Sequence, residues 1–127
     1  PQLLLFKSGY EYQRLHNTYS SDRELRLRTV RRSEWNGKVI ELKRFRGAGD
    51  RYAEHLSFLN SSLESILSEK CMWKKIPRMI LALDKQSKPL RVQGLHGLLS
   101  IDSLEARYRG SMSDCGSVNE YFRSYRP

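Results

Sequence analysis

Glu24-Leu-Arg-Leu-Arg-Thr-Val-Arg-Arg32, then Trp35-Asn-Gly37, then Lys38-Val-Ile-Glu-Leu-Lys-Arg-Phe-Arg46 is the stretch on which the fold turns. Leu25, Leu27 and Thr29 alternate with Arg26, Arg28 and, further on, Arg32. A strand turns successive side chains to opposite faces, so one face is apolar and the other carries guanidinium groups. Asn36-Gly37 is a strong hairpin signal because both positions tolerate positive φ, and a second strand is expected to follow over 38–46. Residues 23–46 hold nine Lys/Arg against three Glu. A broad basic sheet suits a long polyanion better than a small metabolite, which makes nucleic acid the leading reading.

The whole chain agrees. At 127 residues it is expected to be one domain, 1–127, able to bury a core without staples. The net charge of +9 is uneven: 23–46 and 71–91 are strongly basic around a slightly acidic 47–70. Clustering of this kind points to a positive patch, although basic runs also serve simply to keep a small domain soluble. Cys71 and Cys115 lack metal-ligand spacing, so the expectation is two free thiols in a reducing compartment and no zinc. No apolar run approaches the roughly 20 residues that span a bilayer, and Leu3-Leu-Leu-Phe6 lacks the flanks of a signal peptide.

Residues 1–22 read as an aromatic lead-in, either a short helix or an extended arm. Gly47-Ala-Gly49 ends the hairpin, and Asp50 is expected to cap the clearest helix, whose apolar stripe is Tyr52, Leu56, Leu59, Leu63, Ile66 and Leu67. After Pro77, 78–84 reads as a buried strand, 85–89 as a turn and 90–94 as a partner strand. The segment from Leu95 to Ile101 is open between strand and loop. Ser103 is expected to cap a short helix through Tyr108, and 110–127 reads as a tail that is mobile or used at an interface. The expected fold is α+β: a small mixed or antiparallel sheet, helices on one face, and a basic opposite face.

Candidate RNA-binding residues are Arg26, Arg28, Arg32, Lys38, Lys43, Arg44, Arg46 and Arg91, with Lys74, Lys75, Lys85 and Lys88 behind them. Arginine's planar fork matches phosphate oxygens, but strand parity cannot put all of these on one face. Tyr10 and Tyr12 are candidates for stacking at a duplex end, weighed against packing on the sheet edge. Trp35 and Trp73 sit at ends of elements, where core closure is the better reading. Glu41-Leu-Lys43 matches half of a metal-nuclease core, with Asp22 the nearest second carboxylate. His16, His55 and His96 have no evident nucleophile or acid partner. No enzyme, cofactor or metal is expected.

Arg14-Leu-His-Asn17, Trp35 and Lys43-Arg44-Phe45, followed by a helix, resemble the RNA-silencing suppressors of tombusviruses at closely similar spacing. Those are nineteen-kilodalton dimers that bind small interfering RNA duplexes; the fourteen-kilodalton suppressors of aureusviruses are nearer in size. The resemblance covers residues 10–60. It implies a homodimer with one continuous concave sheet, contacts from Lys43 and Arg44 to duplex phosphates without base reading, and a location in the host cytoplasm or nucleus. This chain has Tyr10 and Gln13 where that family places two end-capping tryptophans, so relaxed length selection is expected. The reading is therefore sequestration of duplex RNA by a non-enzymatic homodimer. The alternatives are a single-strand binder on a curved basic sheet and a metal-dependent nuclease. A membrane-surface role ranks last, since the clear helix has a serine-rich polar face.

Overall fold

A computed structural model describes residues 2–16, 35–109 and 114–125. The fold is α+β, with a small antiparallel sheet of two strands and four α-helices among the described residues. By contact density the chain divides into two compact units, Pro1–Arg44 and Phe45–Pro127.

In the first unit, β1 (Gln2–Leu5) pairs antiparallel with β2 (Gln13–His16), Leu3 opposite Leu15 and Leu5 opposite Gln13. The described part of the lead-in is thus extended rather than helical, and it is paired on itself. Lys7-Ser-Gly supplies the turn: Tyr10 N–H donates to the Lys7 carbonyl at 3.0 Å, and Gly9 takes a φ of 77° that a side chain would strain. The turn at 35–37 forms as expected, but 38–46 is not a full strand. It runs alongside 10–13 through one bridge, Tyr10 to Arg44, and a 2.8 Å bond from Glu11 N–H to the Lys43 carbonyl. The first strand of the expected hairpin, 24–32, lies outside the described residues.

The second unit is helical. In α1 (Gly49–Leu67), Ala53, Leu56, Leu59, Leu63 and Leu67 recur at spacings of three and four and are all buried. Its N-cap is Ala48 rather than Asp50; Asp50 lies inside the first turn, where its negative charge complements the helix dipole. Cys71, at a φ of 62°, turns the chain into a 3₁₀ segment, Met72–Lys75, that seats Trp73 with no exposed surface.

From Pro77 the structure departs from the expected strands. Residues 78–84, 85–89 and 90–94 do not form strand, turn and strand; Pro77–Val92 is one helix, α2. Pro77 occupies the first turn, where its missing N–H is no loss, and Ile80, Leu83, Ser87 and Leu90 share the buried face. Pro89 falls so near the C-terminus that it forfeits one late hydrogen bond without ending the helix at 88. Residues 95–100 are loop. In α3 (Ile101–Tyr108), Ser100 is the N-cap and Ser103 completes a capping box from N3, correcting the expected cap at Ser103.

The tail also departs from expectation. Val118–Arg123 is a helix, α4, with Val118 and Phe122 fully buried and Tyr121 set edge-on to Trp73 at 5.1 Å. Cys71 and Cys115 are not free thiols. They form a disulfide across 44 residues of sequence, with Cα atoms 5.5 Å apart, joining the start of the 3₁₀ segment to the approach to α4. No helix among the described residues is long and apolar enough to cross a membrane.

Candidate nucleic-acid interface

Segment 38–44 runs antiparallel to 10–13, so two stretches distant in sequence present their side chains together. Gln13 Nε2 donates to the Glu41 carbonyl at 3.3 Å, and Trp35 Nε1 donates to the His16 carbonyl at 3.4 Å. Ile40 and Leu42 are half-buried while Val39, Glu41 and Lys43 are exposed, the alternation that an extended chain imposes. On this unit the described residues expose Lys7, Arg14, Lys38, Lys43 and Arg44 against the carboxylates of Glu11 and Glu41. Positive charge dominates the ribbon.

The expected contacts divide accordingly. Lys38, Lys43 and Arg44 are exposed on the ribbon, and Lys38 Nζ sits 5.4 Å from the centre of the Trp35 ring. Arg26, Arg28 and Arg32 lie outside the described residues. Arg46 is exposed in the second unit, at the rim of a cavity. Arg91 is not on the strand expected over 90–94: it is on α2, half-buried, with Nη2 3.4 Å from Ser87 Oγ. Of the reserve set, Lys74 and Lys75 are on the 3₁₀ segment and Lys85 and Lys88 on α2, where Lys88 pairs with Asp84 at 3.0 Å.

Neither lead-in tyrosine is a bare stacking plate. Tyr10 is half-buried, bridged to Arg44, and its ring carries Lys7 Nζ at 4.4 Å from the centroid. Tyr12 is half-buried as well. Trp73 closes the core as expected, while Trp35 is half-buried at the turn. Lys7 was missed by sequence reasoning because the lead-in lacks a period. The usable signal was the leucine run followed by Lys-Ser-Gly, a strand ending in a turn.

Among the described residues no three His, Cys, Asp or Glu side chains come together as a metal site, and Asp22 lies outside them. A second cavity, of about 390 Å³ in the helical unit, is lined by Asn60, Glu64, Arg91, Ser103 and Arg107 among others. Its cations are largely engaged: Arg107 makes a two-pronged bond to Glu64 at 2.9 and 3.0 Å. That guanidinium holds the Glu64 carboxyl below the ordinary carboxylate value. No protein-family model matches this chain, and neither does any curated protein or solved structure.

Proposed function

We propose that the protein binds double-stranded RNA through its backbone, without reading sequence, and sequesters small interfering duplexes so that RNA silencing is suppressed. The observation that carries the reading is the ribbon that exposes Lys43 and Arg44 and, among its other described residues, Lys7, Arg14 and Lys38. Several exposed cations spread along an extended ribbon suit the spaced phosphates of a nucleic-acid helix better than a compact small substrate. The resemblance of Arg14-Leu-His-Asn17 and Lys43-Arg44-Phe45 to tombusvirus suppressors supports the same assignment. In this reading the basic face of the ribbon meets the RNA, and a homodimer continues the sheet along the duplex. A symmetric pair is the economical way for a short ribbon to span about two helical turns.

The test is a gel-shift panel of duplex and single-stranded RNA and DNA at several lengths. Unrelated RNA duplexes of equal length are expected to bind alike and to be displaced poorly by single strands. Preference for single strands would instead favour the single-strand reading. Mg²⁺-dependent cleavage lost on changing Glu41 would favour the nuclease.

A further inference from the structure

Phe58 exposes 60 % of its surface, although α1 buries every third or fourth residue around it. A single exposed ring needs no explanation. This one stands at the end of a row. Glu54 and His55 each lie three or four positions from both Arg51 and Phe58, so the four share the face of α1 turned away from its leucines. Phe45, arriving just before the helix, folds back over that face. Its ring centroid lies 5.1 Å from His55 and 5.0 Å from Tyr52. The fold-back depends on Gly47, where a Cβ would come within 3.0 Å of the Phe45 ring. Phe45, Arg46, Arg51, Glu54, His55 and Phe58 together line an open notch of about 450 Å³, within the range of ligand pockets.

We infer that this notch takes an unpaired nucleobase of RNA, stacked against Phe58 and His55, with the adjoining phosphate held by Arg46 and Arg51. Flat rings offer a surface to any base, and two exposed guanidinium groups against the single carboxylate of Glu54 complement the phosphate. The inference rests on the RNA-binding reading and adds a second kind of contact to it. The ribbon cations meet backbone along the duplex; the notch meets a base that has left the stack. Phe58 is well placed for a test because its exposure means that the fold does not depend on it.

The experiment compares three RNA duplexes of one length: blunt, carrying two unpaired 3′ nucleotides, and carrying the same two nucleotides as abasic residues. The unpaired bases are expected to tighten binding about tenfold over the blunt duplex, the scale of a stacked base. Abasic residues keep the phosphates and are expected to lose most of that gain. Phe58→Ala should abolish the gain while leaving blunt-duplex affinity unchanged, and Phe58→Trp should retain it. Equal binding of blunt and overhung duplexes by the unaltered protein, or a gain that survives Phe58→Ala, overturns the notch and leaves backbone binding standing. Failure to bind any of the three duplexes overturns both.

Discussion

Asp84 is the one charged side chain in the core among the described residues, at 5 % exposure, and it shows how a single position can mislead a reading of the chain. In the sequence it ends an apolar run and looks like the polar stop of a strand. In the fold its Oδ1 accepts Ile101 N–H at 3.0 Å, holding the start of α3, while Oδ2 meets Lys88. Asp84→Ala should cost about 2 kcal/mol in urea denaturation by orphaning that buried N–H, and Asp84→Asn, which keeps the acceptor, markedly less. Equal losses would mean that the Ile101 bond contributes nothing. Tyr10 is the corresponding case in the candidate interface. With Lys7 over its ring and Arg44 beside it, Tyr10→Ala should alter duplex affinity little, and affinity should not peak sharply at siRNA length. A sharp optimum lost on Tyr10→Ala would restore an end-capping role.

At the scale of elements, what could be read was what repeats. The leucines of α1 keep a helical period along its length, and the helix begins two residues before the expected start. The apolar run 78–84 is too short to separate strand from helix, and Pro89 closed the turn expected over 85–89. The deciding clue was available: Ile80, Leu83, Ser87 and Leu90 lie on one helical face, and Pro77 is a helix-start signal. Segment 38–46 alternates as a strand should, yet its pairing depends on a partner that local sequence does not announce. The α1–α3 connection offers a test of its own. Because Arg107 lowers the Glu64 pKa, the pair stabilises the fold above the ordinary carboxylate value of 4.5 and loses that contribution as pH falls through the lowered value. The stability difference between the unaltered protein and Glu64→Gln should therefore be present at neutral pH and vanish in acid. A difference independent of pH would show that the ion pair is not its source.

For the whole molecule, the disulfide changes the expectation most. Two cysteines without metal spacing looked like free thiols, and only the fold brings them together. Closing a loop of that length is worth on the order of 4 kcal/mol, so Cys71→Ser or full reduction should lower the melting temperature by roughly 10–20 °C. An unchanged melting temperature under reductant would contradict a stabilising bond. Leu59→Ala, which empties a fully buried site, should cost about 2–5 kcal/mol, whereas changing Lys43 and Arg44 should leave stability alone. That contrast isolates the central claim, which is that exposed cations on the ribbon hold duplex RNA by its phosphates. The most direct test is the affinity for one RNA duplex measured across a salt series, for the unaltered protein and for Lys43→Ala/Arg44→Ala. The unaltered protein should give a steep negative log–log slope. The double variant should bind more weakly, with a slope shallower by roughly 1.5–2 units, because about two phosphates would no longer be neutralised. Identical affinities and identical slopes for the two proteins would contradict the account.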